Sequence, residues 1–138
     1  MRNTKFQPSD AITYRQESAI PVEDFHSVLV RSTLAARRPT DDPDRLMKMI
    51  ENADIIITAR HNDLLVGICR SVSDYSYCTY VSDLAVDTQY QRKGIGEKML
   101  RMTMEKAPAA TLILLSAPKA IDYYPKIGME RHPHCYIL

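Results

Sequence analysis

The apolar positions change their period several times along the chain, and each change predicts an element. Ala11 to Arg15, AITYR, reads as a short first strand. Pro21 then sits at a helix start with Glu23 and Asp24 in the first turn, and Val22, Phe25, Val28, Leu29 and Ser32 form one face as far as about Thr33. The prolines and charges of Leu34 to Pro43, LAARRPTDDP, predict a loop. Asp42 or Asp44 can cap a second helix with Leu46, Met47, Met49 and Ile50 as its apolar face, ending near Asn52. A meander follows: Asp54 to Arg60 as a strand, His61-Asn62-Asp63 as a hairpin turn, and Leu64 to Val72 as the returning strand with Gly67 placed for a bulge. Ser73 to Ser76 makes the next turn, and Cys78 to Val86 a third strand.

From Ile95 the period becomes helical, with Met99, Leu100, Met102 and Thr103 on the repeat, and Pro108 sets the limit just past Ala107. Thr111 to Ser116, TLILLS, is continuously apolar and predicts a buried strand. A strand, helix and strand in that order imply parallel pairing of the outer two. Ala117 to Tyr124 then reads as a short helix cut by Pro125, Gly128 closes it, and a last strand is expected around His134 to Leu138. Met1 to Asp10 reads as weakly ordered. The fold class is α/β in the α+β sense: β, α, α, β, β, β, α, β, α, β in one domain over residues 1–138.

Composition narrows the function classes. The chain has 138 residues, 45% hydrophobic and 25% charged, which suits one soluble globular domain with its own core. A net charge of +1 points to neither a nucleic-acid partner nor a membrane surface. Apolar runs are too short to span a bilayer, and Met1 to Asp10 carries no apolar signal core. The three cysteines, Cys69, Cys78 and Cys135, form no CxxC pair, so free thiols in a reducing cytoplasm are expected and no metal is called for. His132-Pro133-His134 could catch a metal, but polar residues at a strand edge explain it more simply.

The stretch that carries chemistry is Tyr80 to Lys106, a strand, a turn holding Gly94 and Gly96, and a helix. A helix start exposes about four backbone N–H groups without partners, and with the helix dipole these favour an anion. Glycines let a phosphate approach the backbone, and Arg92 and Lys93 add positive charge. Neither GxxxxGK[ST] nor GxGxxG is present, Met99 standing where the third glycine would be, so nucleotide-hydrolysing and dinucleotide-binding loops fit less well.

The sequence DLAV followed by QRKGIG resembles motif A of the GNAT superfamily of acyl-CoA-dependent N-acyltransferases, and the element order is similar to that fold over most of the chain. The resemblance implies a central mixed, mostly antiparallel sheet of six to seven strands, about four helices, and a splayed parallel pair with acyl-CoA in the V. It implies acetyl-CoA as co-substrate, with its diphosphate on Gln91, Arg92, Lys93, Gly94, Ile95, Gly96 and Glu97, and its pantetheine arm along Leu84, Ala85 and Val86. AIDYYPKIGM, Ala120 to Met129, resembles the second family signature, with Tyr123 at its aromatic position, Gly128 at its glycine and Met129 at its apolar position. Tyr124 falls on the tyrosine proposed in that family to protonate the departing thiolate. The chain departs from the pattern where many relatives have an asparagine, here Ala117-Pro118-Lys119, and in placing Pro125 directly after Tyr124.

The expected reaction is direct attack of a primary amine on the thioester in a ternary complex. A phenol with a pKa of about 10 can serve a thiol of about 8.5 only with help from position and field. Asp83, expected to share a strand face with Val81 and Ala85, is the candidate base, or else pairs with a cation. Arg31, Arg37 and Arg38 could hold an acidic acceptor or form a solvated face, and Tyr80 could line the acceptor pocket, with Tyr75 and Tyr77 beside it. The acceptor is a small-molecule or protein amine, and a homodimer is compatible with the family. The alternative is an acyl-CoA-binding sensor of the same fold without turnover.

Overall fold

The computed structural model describes residues 11–138, so the weak order expected of Met1 to Asp10 lies outside the described residues. Five strands, β1 (Ile12–Gln16), β2 (Ile55–His61), β3 (Leu64–Ser73), β4 (Cys78–Val86) and β5 (Thr111–Leu114), form one sheet in the order β1-β2-β3-β4-β5. β1 to β4 pair antiparallel, and β5 pairs parallel to β4. The helices are α1 (Val22–Arg31), α2 (Pro43–Glu51), α3 (Ile95–Lys106) and α4 (Tyr123–Lys126). Asp42, rather than Asp44, caps α2, its carboxylate accepting the Arg45 amide at 3.1 Å ahead of Pro43 at the first helical position.

The alternation of the strands divides the core in two. Phe25, Val28 and Leu29 of α1 and Leu46 and Ile50 of α2 pack with Ile56, Leu65, Ile68 and Ala85 on one face. Ile95, Met99 and Leu100 of α3 pack with Ile55, Ile57, Val66, Cys69 and Val81 on the other. α3 lies close to the sheet because Gly67 has no side chain: a Cβ there would meet Met99 Cε at 3.0 Å and Ala59 Cβ at 3.3 Å. The β2–β3 irregularity falls beside that glycine, where Ala59 pairs with Gly67 and Arg60 with Leu65, leaving Val66 unpaired.

A second irregularity matters more. Arg70 pairs with Asp83 and Ser71 with Val81, so Ser82 is an extra residue in β4. An extra residue shifts the two-residue period by one. Val81 therefore packs with the α3 cluster while Ala85 packs with α1 and α2. The expectation that Asp83 shares a face with Val81 is corrected: the bulge turns Asp83 to the Ala85 side, toward Arg70.

Three further expectations change. Among the described residues the sheet has five strands rather than six to seven, and His134 to Leu138 is not a strand; Tyr136 and Ile137 are 90% and 81% exposed. With no partner for its backbone groups, an alternating sequence alone does not make a strand. The segment expected as one helix, Ala117 to Tyr124, is a 3-10 turn at Pro118–Ala120 followed by α4. Pro125 lies inside α4, not after it, in the first turn where its missing N–H removes no intrahelical bond.

Candidate active site

β4 and β5 pair only from Cys78↔Thr111 to Val81↔Leu114. Beyond that point the strands part, and the β5-facing backbone groups of Ser82 to Val86 have no strand partner. A cleft of about 280 Å³ opens in this V. Its floor is Tyr80, Val81, Ser82 and Leu84 of β4; one wall is Leu114 and Leu115, with Ala117, Ala120 and Tyr124 beyond; the other is Leu34, Arg37 and Arg38 from the loop between α1 and α2.

At the far end of β4 the chain turns into α3. Gly94 is the residue before the helix, with φ of 78°, and its carbonyl accepts the Lys98 amide at 3.1 Å. That conformation is one a glycine adopts without strain, and no side chain caps the helix. Arg92 is also left-handed, at φ 62°. Gly96, in the first turn, is enclosed: a Cβ there would lie 3.1 Å from the Tyr123 hydroxyl and 3.8 Å from the side chains of Leu84 and Val86. The first turn of α3 thus leaves the Ile95 and Gly96 amides without a side-chain cap beside Leu84, while the Glu97 amide acts on the Tyr123 phenol. This geometry fits the diphosphate of a coenzyme A.

The other residues of the turn have different tasks. Gln91 donates its side-chain amide to the Val86 carbonyl at 3.0 Å, closing the end of β4. Lys93 lies over the Tyr90 ring with Nζ 5.5 Å from the centroid. The Glu97 carboxylate accepts from Arg101 one turn later, at 3.3 Å.

Tyr124 meets the cleft beside Leu84, its ring edge-on to Tyr123 with centroids 5.2 Å apart. Burial, with smaller contributions from the negative charge that Tyr123 or Cys69 can carry, pushes its phenol up to about 12. It is therefore protonated near neutral pH, as a proton donor must be. The Tyr123 phenol is also raised, chiefly by burial and then by the Glu97 carboxylate, while the Glu97 backbone amide opposes the shift.

Asp83 is fully buried and lies between two arginines. Its Oδ1 accepts Arg38 Nε and its Oδ2 accepts Arg70 Nε, each at 2.5 Å. Arg38 also donates to the Ser82 carbonyl at 2.7 Å and the Arg37 carbonyl at 2.8 Å, and Arg70 to Ser82 Oγ at 2.9 Å and the Met49 carbonyl at 3.1 Å. Both carboxylate oxygens are engaged, an arrangement that holds the α1–α2 loop against β4 and offers nothing to an amine. Arg31 is likewise used elsewhere, donating to Asp87 Oδ2 at 2.5 Å and the Leu65 carbonyl at 2.6 Å, and it does not line the cleft. Tyr80 does line it, whereas Tyr75 and Tyr77 do not.

Sequence reasoning missed Arg70, whose only signal was a charge in an otherwise apolar strand, and Tyr123 as a neighbour of Gly96. Among the described residues no group of three or more His, Cys, Asp or Glu side chains is placed to hold a metal. No helix among them is long and apolar enough to cross a membrane.

Comparison with known proteins agrees with this architecture. The chain is 29% identical over 73 residues to GCN5-related N-acetyltransferase 2, chloroplastic, of Arabidopsis thaliana, covering 50% of this chain and 28% of that protein. It therefore spans less than a third of that relative's length. A GNAT-family acetyltransferase structure from Streptococcus pneumoniae superposes with a TM-score of 0.74 at 23% identity, over 93% of this chain and 98% of that one. An aminoglycoside N-acetyltransferase in complex with CoA superposes with a TM-score of 0.70 at 14% identity, over 93% of each chain. These two establish the shared fold. The sequence profile of the acetyltransferase (GNAT) family matches residues 22–129, and the chain belongs to that family.

Proposed function

We propose that this protein transfers an acetyl group from acetyl-CoA to a primary amine by direct attack in a ternary complex. One observation supports the proposal: Leu84, which lines the cleft together with Tyr124, also lies against Gly96 in the first turn of α3. Acetyl-CoA, when bound, supplies the acetyl thioester, whose C–S bond is exchanged for a C–N bond to the amine.

The roles of the chain follow from position. The Ile95 and Gly96 amides, with Glu97 beside them, would hold the diphosphate, and the backbone groups of Leu84 to Val86 without a strand partner, other than the Val86 carbonyl taken by Gln91, would hold the peptide-like arm. An N–H of that same segment faces the carbonyl oxygen as negative charge develops on it. Tyr124 gives its proton to the leaving sulfur, and solvent takes the proton that the attacking nitrogen releases, so protons balance over the cycle. The acceptor reaches the carbonyl from the side of the α1–α2 loop, past Tyr80.

The test is thiol release from acetyl-CoA across a panel of amines. Activity in the native protein, with Tyr124→Phe losing about a hundredfold in kcat while still binding CoA, supports the reading. CoA binding with no turnover on any amine would instead make the protein a non-catalytic acyl-CoA sensor.

A further inference from the structure

The cleft has an electrical asymmetry that catalysis itself does not require. One carboxylate, Asp83, serves two guanidiniums, those of Arg38 and Arg70, and their other partners are a hydroxyl and backbone carbonyls without charge. The cluster therefore keeps one net positive charge, with Arg70 5% and Asp83 0% exposed. Arg37 adds a second: its side chain makes no ion pair among the described residues, and it lines the cleft beside Arg38. Among the described residues no aspartate or glutamate lines the cleft. Its remaining side chains are aliphatic, apart from Tyr80, Ser82 and Tyr124.

We infer that the acceptor is an amine that also bears an anionic group, a carboxylate or a phosphate, with Arg37 and the residual charge of the Arg38–Asp83–Arg70 cluster as its counter-charge. This rests on the acetyl-transfer reading and names its substrate class. An amine whose anion faces Arg37 has its nitrogen directed inward toward Leu84 and Tyr124. A guanidinium fork suits either anion, since carboxylate and phosphate oxygens both accept two parallel N–H bonds. A polycationic amine would meet like charge at Arg37 and the cluster, and that repulsion selects against it.

The experiment measures thiol release from acetyl-CoA with matched acceptors: an α-amino acid against its carboxamide, phosphoethanolamine against ethanolamine, and spermidine as a polycation. The expected result is a kcat/KM about tenfold or more higher for the anion-bearing member, carried by KM. Arg37→Ala should shrink that ratio about tenfold and Arg37→Glu should invert it. Preference for the neutral or cationic members, or a ratio indifferent to both variants, overturns the inference. If no amine is acetylated, the acetyl-transfer reading fails, and thermal shift of the CoA complex decides this one separately. Greater stabilisation by the anion-bearing amines, lost in Arg37→Glu, would sustain an acidic-ligand site; equal shifts for matched pairs would eliminate it.

Discussion

The Tyr123 hydroxyl stands 3.1 Å from where a Cβ on Gly96 would lie. The first residue of α4 thus reaches the first turn of α3, and the missing side chain at Gly96 serves two ends. It admits the tyrosine, and on the acetyl-transfer reading it also leaves the backbone accessible to a phosphate. With the Glu97 amide also acting on that phenol, the Tyr123 hydroxyl lies against the first turn of α3.

The two glycines of the turn should therefore respond differently to alanine. In Gly96→Ala the new methyl displaces only the far end of a side chain, and helix propensity offers up to about 1 kcal/mol in return, so stability should hold. CoA affinity should nevertheless fall about tenfold, because the backbone is no longer bare. At Gly94 a Cβ meets nothing within 4 Å, but φ of 78° is costly for alanine, so Gly94→Ala should lose about 1–2 kcal/mol of stability. Calorimetric CoA titration and urea unfolding of both variants separate the two effects.

Asp83→Asn should be severe. It leaves two guanidiniums facing an amide at a fully buried position, and breaking such a pair typically costs about 3–5 kcal/mol. Arg38→Ala should cost less, because the Arg70 pair survives. Urea unfolding gives both values. A stable Asp83→Asn protein whose only defect is a lost basic limb in its pH–rate profile would show that Asp83 is a base after all.

Tyr124 fixes how the rate should depend on pH. Its phenol is pushed up to about 12, so it keeps its proton from neutral pH to about pH 10. Over that range kcat should not decline through loss of the acid. A descending limb near pH 8 that disappears in Tyr124→Phe would contradict this placement, and a pH–rate profile of both proteins is the measurement.

Alkaline stability should follow Cys69. Burial raises its thiol from 9.0 to about 11, with Thr103 Oγ1 at 3.3 Å from its sulfur. The folded state therefore holds this proton where the unfolded chain releases it. The contribution is complete below about pH 9 and is lost as pH rises through about 11. Unfolding free energy should fall by roughly 1–2 kcal/mol between about pH 9 and 10.5, and Cys69→Ala should flatten the slope from its own lower baseline.

Much of the frame was legible before any coordinates. The apolar periods located α1, α2, α3 and β1 to β5 to within a few residues, because each buries one face and the spacing of apolar side chains records which. The final strand was not legible in this way: alternation in HCYIL satisfies a strand pattern, but a strand also needs a neighbouring edge in register. Pro125 misled for a related reason. Proline disrupts a helix interior but suits its first turn, and only the start of α4 at Tyr123 decides which applies.

By itself, the sequence determined the strand–turn–helix at Gly94 and Gly96 and the family, since these are local patterns of backbone freedom and spacing. Only the tertiary structure decided what Asp83 does, because one unpaired residue, Ser82, reverses its face, and its partners lie 45 and 13 positions away. It also decided that Arg31 supports the scaffold while Arg37 meets the cleft. A charge records its sign in the sequence, but the chain must fold before it acquires a partner.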